Sequence, residues 1–238
     1  MKKQLWATAA AVVVALAAPA IATAGEGVID LSYYNSSDID VDALAVGGAV
    51  VTEVGQLNLQ LDADFTRFDF DGDKVSFSSG SAHLFHRNDS YAFGGFFNIT
   101  NLAGDGIHTL GLEGAKYWDR LTLSGLVSTS NDDFDVIDDL TTVGADLTYF
   151  ATDNFSIGAN YTSVSGDSSL EDDAYGLHAE WKTMRSISFF GSYQKFDEAD
   201  VDNFTIGIRH SFGGGTLKER DRSGPSMTRG SSILRALF

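Results

Sequence analysis

Apolar and polar side chains alternate along most of this chain. From 155 to 162, Phe155, Ile157, Ala159 and Tyr161 fall on one face, with Ser156, Gly158, Asn160 and Thr162 on the other. The same pattern sets Leu57, Leu59, Leu61, Ala63 and Phe65 against Asn58, Gln60, Asp62, Asp64 and Thr66. It recurs in Tyr91, Phe93, Gly95, Phe97 and Ile99, and in Tyr175, Leu177, Ala179 and Trp181. A period of two is that of a strand with one apolar face. Runs of this kind, cut at turn residues, predict twelve strands: 27–34, 43–51, 57–70, 74–87, 91–102, 107–118, 121–131, 140–151, 155–166, 174–184, 187–198 and 201–212. Ten and fourteen are the alternative counts, because merging the short second strand with its neighbour changes the number. Several runs are near the ten residues that, tilted, cross the apolar core of a bilayer.

The connections sharpen this into a topology. One set is short: 52–55, 88–90, 119–120, 152–154 and 184–186. The other is longer and acidic: 35–42 (NSSDIDVD), 103–106 (AGDG), 132–139 (DDFDVIDD) and 167–173 (DSSLEDD). Short turns at one end and longer loops at the other are expected of a closed, antiparallel, up-and-down transmembrane barrel with an even strand count. Tyr117-Trp118, Tyr149-Phe150 and Trp181 lie just before short turns, where an interfacial aromatic girdle belongs. A soluble β-sandwich does not explain the alternation of connection lengths.

Composition supports the same reading. The only prolines are Pro19 and Pro225, so 25–212 has none to interrupt a ladder. Lys2 and Lys3, the apolar run 9–18 and Ala22-Thr23-Ala24 predict an export signal over 1–24. No later stretch has the ~18 consecutive apolar residues of a membrane helix. The chain has no cysteine, and a closed sheet needs no disulfide to satisfy its backbone. Of the formal charge of −17, residues 1–24 contribute +2 and 213–238 contribute +3, which leaves −22 in 25–212. Such a body excludes nucleic acid and favours cationic or neutral partners. The segment 213–238 opens with Gly213-Gly214-Gly215 and is basic, and it predicts a flexible tail.

The stretch 204–212 places Phe204, Ile206, Ile208, His210 and Phe212 on one face. It resembles the last-strand assembly signal of Gram-negative outer-membrane barrels, which ends in an aromatic residue. This chain departs from the pattern in His210 and in continuing past Phe212. Over residues 1–212 the chain resembles small porin-like outer-membrane proteins. The resemblance implies contact with outer-membrane lipid and lipopolysaccharide, insertion by the barrel-assembly machinery, extracellular loops and periplasmic termini. It implies passage of small hydrophilic or cationic solutes. It does not imply an oligomeric state.

The face opposite the apolar one should line the lumen. On this phase it receives Asp30, Gln60, Asp62, Asp64, Glu113, Asp146, His178, Glu180, Lys182, Gln194 and Arg209. The phase of the fourth strand leaves His83 and Arg87 ambiguous. The acids predict a cation-preferring channel, and the bases offer the alternative of an internally paired, filled barrel. No cofactor or metal is called for. Asp69, Asp71 and Asp73 around Gly72 are a fragment of a calcium loop, and Asp71-Gly72 is equally a hairpin turn. Catalysis is not expected: His108 is placed toward lipid while Ser128 and Ser130 point inward, so no Ser–His pair of an outer-membrane lipid hydrolase forms. The remaining alternative is a non-conducting structural or surface-interaction barrel.

Overall fold

The computed structural model describes residues 25–36, 40–70, 73–102, 105–132, 140–166, 171–183 and 185–227. The expected signal at 1–24, most of the acidic connections, Asp71-Gly72 and 228–238 lie outside the described residues. The strands are β1 (Glu26–Ser36), β2 (Val41–Val54), β3 (Leu57–Phe70), β4 (Asp73–Arg87), β5 (Tyr91–Leu102), β6 (Asp105–Tyr117), β7 (Leu121–Asp132), β8 (Leu140–Thr152), β9 (Phe155–Ser165), β10 (Asp172–Lys182), β11 (Ile187–Phe196) and β12 (Val201–Phe212). Each pairs antiparallel with its neighbours in sequence, and β1 pairs with β12, from Gly27 opposite Phe212 to Ser36 opposite Asn203. The result is a closed barrel of twelve strands with no free edge. One register shift, between Phe150 and Thr152, interrupts the β8–β9 ladder.

Every strand contributes to an exposed apolar outer surface, among them Leu31, Leu44, Leu61, Leu84, Phe93, Leu112, Val127, Leu147, Ile157, Leu177, Phe189 and Ile206. In water such a belt is unstable; in hydrocarbon it is the required surface. Among the described residues no helix is long and apolar enough to cross a membrane. Trp118, Tyr149 and Trp181 are exposed at the short-turn end, where a girdle belongs. Tyr117 and Phe150 differ from the girdle expectation: both are buried inside, because adjacent strand residues face opposite ways. At the other end, Tyr33, Tyr161 and Tyr193 on the outer face donate hydroxyl hydrogen bonds to Asp42, Asp173 and Asp202 at 2.5, 3.0 and 2.9 Å.

The contrast in connection length is smaller than the sequence suggests. Strands β5 and β6 run to Leu102 and from Asp105, and β1 and β2 absorb much of 35–42. The longer connections that remain are 133–139 and 166–171. Polar residues at these strand ends continue the ladder, since backbone pairing does not require an apolar side chain.

The tail departs from the flexible-linker expectation over its described part. Gly213, Gly214 and Gly215 have φ of 95°, 89° and 75°, a left-handed run that only glycine adopts without strain. It turns the chain back toward the barrel. Helix α1 (Leu217–Ser223) follows, with a capping box in which Thr216 accepts from the Glu219 amide and Glu219 accepts from the Thr216 amide. Residues 216–227 pack into the short-turn mouth through the contacts described below. They are fixed there because the basic residues meet the barrel's acids and Met227 meets an apolar pocket.

Candidate functional site

Cross-strand register places all eight lumen candidates on the inner face. Asp62 and Asp64 on β3 lie opposite Ser81 and Ser79, and Glu113 on β6 lies opposite Gly94. Asp146 on β8 is opposite Asn160, Glu180 on β10 is opposite Ser156, and Lys182 is opposite Ser188. Asp30 on β1 is directly opposite Arg209 on β12. Gln60, His178 and Gln194 share this face, and so do His83 and Arg87, whose phase the β3 register settles. Phe204, Ile206, Ile208, His210 and Phe212 share the outer face, with the first three strongly exposed.

The interior has a filled region and an open one. Around His83, on β3–β6, it is packed and dry. Both ring nitrogens of His83 meet carboxylates, Nε2 at 2.8 Å from Asp62 and Nδ1 at 2.6 Å from Glu113. The ring stacks on Phe96 at 5.5 Å. Gln60 donates to Asp62 at 2.9 Å, and Asn98 donates to Ser81 at 2.9 Å and accepts from Thr100. Gln60, His83, Asn98, Thr100 and Thr109 are fully buried, so these bonds replace water on this wall. Phe96 lies over Gly111, where a Cβ would sit 2.5 Å from its ring.

Beside it lies a cavity of about 570 Å³, lined by β8–β12 and β1 and also by Asp64 and Ser79 on β3 and β4 and by Thr122 and Ser124 on β7. Asp146 and His178 meet there at 2.7 Å with their side chains about a third exposed. Deeper toward the short-turn end, Glu180 is the hub of an ion network. Arg209 reaches it at 2.7 Å and Asp30 at 3.1 Å, and stacks over Phe190 at 4.5 Å. Arg220 of α1 binds Glu180 through two guanidinium nitrogens, at 2.6 and 2.8 Å. Ser188 also donates to Glu180. Lys182 donates to the Gly215 carbonyl at 2.8 Å.

Toward the loop end β1–β4 bring an apolar cluster inside, which the alternation did not indicate. Tyr34, Val41, Ala43, Phe68 and Phe77 form a buried cluster, with Phe68 5.0 Å from Phe77 and 5.8 Å from Tyr34. The β3 pattern conceals this, because Phe65 faces out while Phe68 and Phe70 face in.

The floor of the cavity is Leu217, Arg220, Asp221, Pro225, Ser226 and Met227. Thr122 donates to Asp221 at 2.7 Å, and Arg87 donates to the Gly224 carbonyl and to Ser226, both at 2.9 Å. The Met227 amide and carbonyl are both held by Gln60, at 3.1 and 3.2 Å, and its side chain packs with Val51, Phe85, Ala92 and Tyr117. Lys218 pairs with Asp119 at 3.1 Å, which lowers the Asp119 carboxyl below its ordinary range.

Among the described residues no cluster of His, Asp and Glu is arranged to hold a metal ion. Asp69 pairs with Lys74 at 3.0 Å on the outer face. His108 faces outward against Phe97, while Ser128 and Ser130 face inward, the latter bonded to Thr109. The sheet separates His108 from Ser128 and Ser130.

No protein-family model matches the sequence, and no curated protein matches it. Solved structures do match in fold. The KdgM porin superposes with a TM-score of 0.63 at 12% identity, over 78% of this chain and 99% of that one. The NanC porin gives 0.64 at 8% identity, over 76% and 98%. An outer-membrane channel of Pseudomonas putida F1 gives 0.57 at 12% identity, over 79% and 94%. The fold is that of a small, porin-like outer-membrane barrel with twelve strands.

Proposed function

We propose that this protein is a passive diffusion channel of the bacterial outer membrane for small hydrophilic solutes, with a preference for cations. On this reading the export signal is removed, the short turns and both termini are periplasmic, and the acidic loops face outward. The observation that carries it is the cavity of about 570 Å³ inside a closed barrel with an apolar belt, with Asp146 and His178 partly exposed in its wall. The net −22 of residues 25–212 gives the passage the field that draws cations in. The twelve-stranded wall is narrow, and the packed region around His83 narrows the passage further.

The test is planar-bilayer recording of refolded full-length protein, with folding monitored by heat-modifiable migration. Discrete current steps are the expected result. A folded barrel that stays silent, and is still silent once the C-terminal segment is displaced as described below, refutes the channel and favours a structural barrel.

A further inference from the structure

The described residues after Phe212 add nothing to the sheet, yet they are bonded to strands all around the ring. Asp221 is held by Thr122 on β7, while Ser223, two residues on, donates to Glu26 on β1 at 2.7 Å. In this ring β7 lies opposite β1. Arg220 is held by Glu180 on β10, while Gly224 and Ser226 are held by Arg87 on β4, again the opposite strand. Met227 reaches Gln60 on β3. A short helix that bonds to two pairs of opposing strands sits on the barrel axis.

We propose that residues 216–227 are a resident plug, an autoinhibitory segment that closes the short-turn mouth and is latched by Arg220 on Glu180. The inference rests on the channel reading for its consequence, but not for its geometry. The plug carries the charge of the solutes the acidic lumen favours. Arg220 occupies a carboxylate of the wall, Lys218 pairs with Asp119 at the rim, and Arg222 donates to the carbonyls of Trp118 and Asp119. It is in effect a tethered cation in a cation-binding mouth. Most of its contacts are hydrogen bonds and ion pairs; the apolar anchors are Leu217 and Met227. The left-handed glycines 213–215 form the hinge about which it leaves. The barrel closes through the β1–β12 ladder without it.

The test uses the full-length chain and its Arg220→Glu variant, which sets like charge against Glu180. The variant is expected to pass several-fold more current than the parent. A synthetic peptide of residues 213–227, added to one side of the bilayer only, should close the variant again, and the same peptide carrying Arg220→Glu should not. Equal, non-zero currents in parent and variant overturn the plug. A second reading is independent of current. The chain has no cysteine, so Ser124→Cys, a single thiol on the cavity wall above the plug, reports access in micelles. Its labelling by a charged thiol reagent should be several-fold faster when Arg220→Glu is present. Equal rates overturn the plug. Fast labelling without current leaves the plug standing and defeats the channel.

Discussion

Replacing Glu180 by glutamine removes the shared acceptor of two guanidinium groups. The carboxylate is nearly buried and takes two bonds from Arg220, one from Arg209 and one from Ser188. Arg209 keeps Asp30, at 3.1 Å, whereas Arg220 is left with only a long contact to Ser211, at 3.4 Å. Breaking a buried pair on one side typically costs about 3–5 kcal/mol. The converse change, Arg220→Gln, leaves Glu180 still bonded to Arg209 and Ser188. Charge-assisted bonds are worth ~1.5–3 kcal/mol each before desolvation is set against them, so this variant should lose about 2–4 kcal/mol. The structure therefore predicts an order: Glu180→Gln is worse than Arg220→Gln. The Arg220→Gln loss is bounded by the free energy of docking the segment, because a segment that leaves loses no more; the Glu180→Gln loss is not, because Arg209 and Ser188 lose their acceptor within the barrel. The assay is urea unfolding of the refolded barrel, followed by tryptophan fluorescence, for both single variants and the double variant. A coupling of about 2–4 kcal/mol between the sites is expected on the scale of close charged pairs. Losses that add to within ~0.5 kcal/mol would show the two residues to be independent and refute the latch.

Other outcomes follow from the same contacts. His83→Leu should lower barrel stability by about 3–5 kcal/mol in urea unfolding, since Asp62 and Glu113 lose their common partner. Replacing all three by apolar residues should recover most of that loss; no recovery would contradict the dry-wall reading. Gly207→Ala sets a Cβ 2.3 Å from the Phe190 ring beneath Arg209, and should cost ~1–3 kcal/mol, while Gly80→Ala, with nothing nearer than 3.8 Å, should be neutral. Burial raises the Asp221 carboxyl above its ordinary 3.8, against the lowering effects of the Thr122 bond and of Arg222, Arg87 and Arg220. A raised acid binds its proton more tightly when docked, so the contribution of Asp221 to docking is most favourable below that ordinary value and is lost as pH rises through the raised one. Asp221→Asn should dock more tightly than the parent at neutral pH, with the difference vanishing in acid; Ser124→Cys labelling rates against pH measure it.

The strands were legible because a sheet with lipid on one side enforces strict alternation, and a one-residue slip would turn Leu57–Phe65 inward. The lumen acids followed from the same phase. His83 did not, because β4 carries serines on both faces, at Ser76 and Ser78 outside and Ser79 and Ser81 inside, so it lacks contrast. Only pairing with β3 places it. The loop-end cluster of Tyr34, Phe68 and Phe77 was hidden because a barrel interior need not be polar at every depth. The plug was obscured by Gly213-Gly214-Gly215, which has the composition of a linker. Thr216 with Glu219 three residues on was a legible capping box, and three basic residues beside an acidic lumen were its electrostatic complement.

The channel itself is tested most directly by the reversal potential of the full-length Arg220→Glu barrel in a planar bilayer across a KCl gradient. The account predicts discrete current steps that reverse on the potassium side, with a displacement that shrinks when Asp64 and Asp146 are changed to asparagine. Reversal on the chloride side would contradict the cation preference. A correctly folded barrel that passes no current would contradict the channel.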